Sequence, residues 1–490
     1  MIMTDITLTI DGKQVAVPKG TSILQAAITA GITIPHYCWH PGLKAVGNCR
    51  MCLVQVEKWP KPVASCVQPV SEGMVVKTST DEITKIRKSV MEFLLINHPL
   101  DCPTCDQAGE CRLQDYYMNY DEVPSRFAEE KVSKNKMIDL GANVMLDQER
   151  CIACTRCIRV CQEVAGVDEL TLANRGDHTM ITTFPGKKLS NPYAGNTIDV
   201  CPVGALTNKD FRFKKRVWFL ERTPSVCPGC SRGCNIEIHH EELKVYRLLP
   251  RYNPEVNNYW ICDEGRYGYK FINEDRILRP RILEKNISHL VSSDEAVDRL
   301  AGLMKGGALD EIGVVANAQE TNETLQALAD FAKTVLKTRH LYFSRREVEN
   351  PVSDNFLMTA DKNPNQAFVD KLGFRPLSTL KEVRGLLVLN SLSPADMKKV
   401  IEKKVPILGI WASNENPAAH SSAVVFPIPT YAEQEGHFTN VRGLTQKITA
   451  AYPPRGEARL VSETLEELTE RLQTNARSYT QNSYPLSPHL

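Results

Sequence analysis

The sequence predicts a multidomain α+β chain in which small cysteine-bearing modules precede a cysteine-free domain of alternating strands and helices. Three observations carry that expectation. The chain has 490 residues, and at roughly 100–200 residues per domain this suggests roughly three to five domains. All 16 cysteines lie between Cys38 and Cys262, in four groups. Downstream of them, short apolar runs such as Gly385–Leu389 and Ile407–Ala412 alternate with helical patterns, the mark of a parallel sheet.

A chain of this size needs no staples to fold, and a disulfide scaffold is normally short and dense in cysteine throughout. Grouped thiols in a long chain point to metal instead. The 59 basic and 58 acidic side chains exclude a general polyanion binder. The first residues show no apolar signal core and no Arg-rich transit pattern, and no apolar run approaches the ~20 residues of a membrane span. The expectation is a soluble protein of a reducing compartment, able to dock on a membrane protein.

Element by element, residues 5–17 alternate apolar and polar about Asp11-Gly12, a hairpin signal. Thr21 or Ser22 can cap a helix over about 22–30, closed by Gly31. Strand follows at Leu53–Val56 and Met74–Lys77, so residues 1–80 suit a mixed sheet on one helix. Thr80-Asp81-Glu82 opens a second helix ending near His98-Pro99, within a unit of residues 81–120. Residues 121–140 read as a charged connector inside a third unit, 121–219. A strand-rich unit spans 220–276. In the last, 277–490, strands are expected at Ile312–Ala316, Leu386–Asn390 and Ile407–Ala412, and helices at Thr321–Lys337 and Pro394–Lys403. The tail from Asn475 is polar and reads as poorly ordered.

The first cysteine group is Cys38, Cys49, Cys52 and Cys66. One close pair plus two flanking thiols is the logic of a [2Fe–2S] site. Zinc also accepts four thiolates, but more often through two close pairs. The second group, His98, Cys102, Cys105 and Cys111, offers three thiolates for a cube. His98 is the local fourth donor, or else a cation ending a helix. The third group, Cys151-x-x-Cys154-x-x-Cys157-x-x-x-Cys161, has ferredoxin [4Fe–4S] spacing. Cys161 precedes Gln162, whereas Cys201 precedes Pro202, so Cys151, Cys154, Cys157 and Cys201 form one set. Cys161 is then a rival to His98 or a buried free thiol. The fourth group, Cys227, Cys230, Cys234 and distant Cys262, again suits a cube. A series of one-electron centres on one chain reads as a wire, and no Gly-rich nucleotide fingerprint accompanies it.

These residues resemble a known family. The runs Ile34-Pro-His-Tyr-Cys-Trp-His40, Cys151-Ile-Ala-Cys-Thr-Arg-Cys157, Ile198-Asp-Val-Cys-Pro-Val-Gly-Ala205 and Cys227-Pro-Gly-Cys-Ser-Arg-Gly-Cys234, with the His98/Cys102/Cys105/Cys111 motif, are similar to the large iron–sulfur subunits of NADH:quinone oxidoreductase. Cys262-Asp-Glu-Gly-Arg-Tyr-Gly268 joins them. Residues 431–440 and 443–446 resemble a molybdopterin-oxidoreductase segment. The resemblance implies a [2Fe–2S] ferredoxin-like β-grasp, [4Fe–4S] ferredoxin-like domains and a reduced α/β molybdopterin-oxidoreductase-like domain. It implies a [2Fe–2S] cluster on the first group and [4Fe–4S] clusters on the other three, with His98 a ligand and Cys161 spare.

The implied role is electron transfer from a flavin- and NADH-binding subunit, through the first, second and then third sites, to further iron–sulfur subunits and quinone. It involves no substrate site on this chain, no nucleic acid, and a place on the cytoplasmic side of the inner membrane beside a membrane arm. An iron–sulfur subunit of an NAD-linked hydrogenase or formate dehydrogenase is the alternative. No molybdopterin is expected: no cysteine follows Cys262, Glu264 stands where related molybdenum enzymes tend to place a lysine, and few strand–helix units are evident. The basic cluster Lys209–Arg216 reads as a subunit-facing surface.

Overall fold

The computed structural model describes residues 5–120 and 125–478. It divides into two compact units, 1–220 and 221–490.

In the first unit, Asp11 and Gly12 both adopt positive φ (44° and 81°), the geometry of a two-residue hairpin turn, and join Asp5–Ile10 to Lys13–Pro18. These strands enter a five-stranded mixed sheet with Val75–Lys77, Leu53–Val56 and Val63–Ala64. The helix Ile23–Thr29 packs on it. Ser22 caps that helix, and Gln25 closes a capping box back onto Ser22. Leu8, Ile10, Ile23, Leu24, Val54 and Val76 fill the core between sheet and helix.

Thr80 caps the helix Asp81–Leu95 through the Ile83 amide. A shorter helix, Arg112–Tyr120, packs beside it. A three-stranded sheet of Leu206–Asn208, Val144–Leu146 and Ile138–Asp139 then supports two cysteine loops. The helix Arg156–Arg159 runs on into a wide π-type turn, Val160–Ala165.

The second unit opens with the antiparallel strands Glu221–Val226, Asn235–Glu241 and Lys244–Pro250. Its main body is an eight-stranded sheet. Six strands are parallel, in the spatial order Ser422–Pro427, Ile407–Ala412, Gly385–Leu389, Ile312–Asn317, Leu341–Ser344, Arg375–Pro376. The order reverses at Ile312–Asn317, the first of the six along the chain, as in doubly wound sheets. A hairpin, Arg281–Glu284 with Ile287–Leu290, adds antiparallel at one edge. Gly385–Leu389 and Ile407–Ala412 are buried at every position, as their apolar runs require.

This domain holds more strand–helix units than the sequence suggested. Leu341–Ser344, Arg375–Pro376 and Ser422–Pro427 were not anticipated, nor was the helix Ser293–Lys305 with its Ser292 capping box. The helix expected to Lys337 is regular only over Asn322–Asp330 and widens over Phe331–Val335. A last helix, Val461–Ser478, takes in the start of the tail read as unstructured, and residues 479–490 lie outside the described part. Among the described residues no helix is long and apolar enough to cross a membrane.

Candidate metal centres

All sixteen cysteines are free thiols, and the structure gathers fifteen of them into the four expected neighbourhoods. In the first, the Cys38 amide donates to Cys49 Sγ at 3.5 Å. Thiol hydrogen bonds from Cys49 and Cys66 hold Cys38 low, one from Cys66 lowers Cys52 to about 7, and Cys66 is pushed up in return. The four thiols therefore form one connected group. Arg50, between Cys49 and Met51, takes φ 57°, an uncommon backbone that lets successive amides face one centre.

At the second neighbourhood, His98, Cys102, Cys105 and Cys111 line one cavity of about 590 Å³, with Arg150 and Gly204 in its wall. Burial, then the Arg150 charge, lowers His98 to about 4. The imidazole is neutral near pH 7 and keeps a lone pair for a metal, contrary to the reading of His98 as a helix-end cation. Burial raises Cys111 to about 11.

In the third neighbourhood, Cys151, Cys154, Cys157 and Cys201 line a small cavity closed by Leu146, Ile152, Ile181, Val203 and Leu206. Ala153 (φ 51°) and Thr155 (φ 63°) again turn the backbone inward, and the Ala153 amide donates to Cys151 Sγ at 3.4 Å. Burial and mutual repulsion raise Cys154 to about 12. Cys161 lies apart. It is wholly buried in the wide helical turn, its charged neighbours are Glu169 and Asp168, and it does not line the His98 cavity.

In the second unit, burial and the charges of Cys227, Cys230 and Cys262 push Cys234 well up. Amides of Gly229 and Gly265 donate to Cys227 Sγ (3.4 Å) and Cys262 Sγ (3.3 Å). The segment 431–446 braces this loop: Gln446 Nε2 donates to Gly233 O at 2.9 Å, and Asn440 Nδ2 to Arg232 O at 3.2 Å. Glu433 forms a fully buried pair with Arg276 at 2.7 Å. Glu264 pairs with Lys362, a lysine 4% exposed that reaches it from a distant loop at 2.5 Å. Sequence spacing offered no signal for that pair.

Four buried thiols at one point cannot all ionise in a bare protein, because each thiolate raises the others. A cationic iron–sulfur core removes that penalty, and the amide-facing turns and apolar walls suit it. The residues present fit such clusters.

The fit to molybdopterin is poor. The crevice at the carboxyl ends of the parallel strands holds a cavity of about 420 Å³, lined among others by Asn317, Glu320, Arg345, Asn390, Ser391 and Ser413. The turns after these strands, 318–321, 345–347, 390–393 and 413–416, contain no glycine. A pyrophosphate needs close backbone approach there, which glycine permits and larger residues obstruct.

The third neighbourhood abuts both others in its unit. Asn48 Nδ2 donates to Ala153 O at 3.3 Å, joining it to the first. The Arg112 amide donates to Pro202 O at 3.2 Å, joining it to the second. A Cβ on Gly204 would stand 2.3 Å from Cys105 Sγ, so the two loops touch. Between the first and second neighbourhoods stand the rings of Tyr37 and Tyr116, 5.1 Å apart.

Five family models match in succession. They are a 2Fe-2S iron-sulfur cluster binding domain (residues 3–81), the NADH-ubiquinone oxidoreductase-G iron-sulfur binding region (87–122), the ferredoxin-like domain of NADH-quinone oxidoreductase subunit 3 (141–207), the molybdopterin oxidoreductase Fe4S4 domain (220–274) and molybdopterin oxidoreductase (289–471). The chain is 43% identical over 331 residues to the G subunit of NADH-quinone oxidoreductase of Rickettsia bellii, covering 67% of this chain and 48% of that one. It is 43% identical to the NADH-ubiquinone oxidoreductase 78 kDa subunit of Neurospora crassa, over 67% of this chain and 44% of that one. The chain thus spans about half the length of the curated relatives it matches. Among solved structures, a chain of an NAD+-reducing [NiFe]-hydrogenase aligns at 29% identity and TM-score 0.40, over 43% of this chain and 91% of that one. The cysteine motifs, their order and the curated relatives agree: over two thirds of its length the chain is homologous to the large iron–sulfur subunits of NADH-quinone oxidoreductase.

Proposed function

We propose that the chain is an electron-transfer subunit of a proton-translocating NADH:quinone oxidoreductase. The ligand sets are Cys38, Cys49, Cys52 and Cys66 for a [2Fe–2S] cluster, and His98, Cys102, Cys105 and Cys111 for a [4Fe–4S] cluster. Cys151, Cys154, Cys157 and Cys201 hold a second [4Fe–4S] cluster, and Cys227, Cys230, Cys234 and Cys262 a third. Such clusters, when bound, take and release one electron at a time. The protein's part is to exclude water, aim amides at sulfur and fix the separations.

The observation that carries this reading is the hydrogen-bonded contact of the third cysteine set with both the first, through Asn48, and the second, through the Arg112 amide. It also revises the order expected from the sequence. Electrons arriving from a flavin- and NADH-binding subunit enter the first site, cross the third, and leave through the His98 site toward further iron–sulfur subunits and quinone. The chain then sits peripherally, on the cytoplasmic face of the membrane. The five stretches 1–80, 81–120, 121–219, 220–276 and 277–490 are its domains, and the last is a scaffold without molybdopterin, consistent with its glycine-free turns.

Cys157→Ala tests the order. Freeze-quench EPR of the anaerobically purified variant should still show the first- and second-site signals, with fast electron equilibration between them lost. Unchanged equilibration would return the order to first, second, third.

A further inference from the structure

Two guanidinium groups lie where charge is costly. Arg156 is 4% exposed and Arg159 is 5%. Arg156 donates to the carbonyls of Trp39 and, at 3.0 Å, Val200. Arg159 donates to the carbonyls of Cys38 and Lys44 at 2.5 Å each, and to that of Cys154 at 3.3 Å. Each arginine thus has one hand on the Cys38 loop and the other on a loop of the third site, since Val200 precedes Cys201.

Among the described residues neither has a carboxylate partner. Arg150, equally buried, shows the usual solution, pairing with Asp147 at 2.8 Å and Asp101 at 2.6 Å. Glu163, one turn beyond Arg159, instead accepts from the Lys44 amide. Carbonyl oxygens satisfy N–H donors but do not cancel a net charge. Two like charges buried side by side are expensive unless something anionic lies close on either hand. A cluster with four thiolate ligands is anionic, and it gains one further negative charge on reduction.

We propose that Arg156 and Arg159 form a paired electrostatic clamp between the first and third sites, fixing their separation and raising the electron affinity of both. With no carboxylate to offset it, the positive field favours the reduced form of whichever site holds the electron. This rests on the reading that both sites hold iron–sulfur clusters. The two arginines are positioning residues: they touch ligand loops, not iron.

The test is an EPR-monitored redox titration of the anaerobically purified, cluster-loaded full chain. Arg156→Gln and Arg159→Gln should each lower the midpoint potentials of both the first- and third-site centres. The shift should be tenfold or more in the reduction equilibrium, about 59 mV for a one-electron centre. Arg384→Gln, in the other unit, removes a guanidinium that donates to the Leu303 and Met304 carbonyls and should shift neither. Arg156→Lys and Arg159→Lys keep the charge but replace the fork with a single ammonium, so potentials should stay near the parent's while the magnetic interaction between the centres changes.

Clusters present in the Gln variants at unshifted potentials would overturn the clamp. If those variants do not assemble, Lys variants whose midpoint potentials fall tenfold or more in the reduction equilibrium below the parent's would overturn the charge argument. A parent chain without a [2Fe–2S] signal would instead bring down the cluster reading, and the clamp with it.

Discussion

Cys161 is packed at full burial in a widened helical turn, facing Asp168 and Glu169, while His98 lines the same cavity as Cys102, Cys105 and Cys111. Those surroundings favour His98 over Cys161 as the fourth donor, two residues that spacing alone left as rivals. Cys161→Ala should retain the second-site EPR signal and cost roughly 1–2 kcal/mol in a denaturant melt, the scale of a small buried deletion. His98→Ala should lose the signal, and His98→Cys should keep a cluster at lower potential, since a thiolate adds negative charge. Loss of the signal in Cys161→Ala but not in His98→Ala would reverse the assignment.

A second residue makes a pH prediction. Burial raises Glu320, in the turn after the strand Ile312–Asn317, from 4.5 to about 7, against hydrogen bonds from Gln434 and Asn390 that lower it. The folded state therefore holds a proton that the unfolded state releases. Stability from this group is complete below pH 4.5 and falls as pH rises toward 7. Glu320→Gln should abolish that fall and leave the protein more stable than the parent at pH 8, measured by urea midpoints across the range.

At the level of elements, the cysteine loops depend on close backbone approach. Gly204 has no room for a side chain because Cys105 Sγ occupies the place of its Cβ. Gly204→Ala should reduce occupancy of the second site and leave the [2Fe–2S] spectrum of the first. Equal loss at both sites would mean general misfolding.

Local signals explain which elements the sequence revealed. The Asp11-Gly12 turn, the Ser22 and Thr80 caps and the cysteine spacings each act within a few residues, and the structure keeps them. What escaped depends on distance along the chain. The strands Leu341–Ser344 and Arg375–Pro376 are short, so neither alternation nor length marks them. The Lys362–Glu264 pair spans 98 residues, and the arginine contacts to the Cys38 loop span 117 and 121. Nothing in Cys-x-x-Cys-x-x-Cys spacing announces that the residues between the ligands tie one site to its neighbour.

For the whole molecule, the division at 220/221 leaves three cysteine sets in one compact unit and the fourth in the other. The first three share apolar surroundings: Tyr37, Met51, Met91, Leu146 and Val203 belong to one cluster, together with Cys111 and Cys157. That common interior is what makes a relay physically reasonable, because a dry, rigid medium keeps separations fixed and reorganisation small. The parallel sheet of the second unit has the strand order of a nucleotide-binding fold, with no glycine in the turns 318–321, 345–347, 390–393 and 413–416.

The central claim is that these ligand sets hold four iron–sulfur clusters. Metal and acid-labile sulfide analysis of the anaerobically purified chain tests it most directly. The ligand sets predict about fourteen iron and about fourteen sulfide per chain, from one [2Fe–2S] and three [4Fe–4S] clusters, without stoichiometric molybdenum. Zinc in place of iron, with no sulfide, would contradict it.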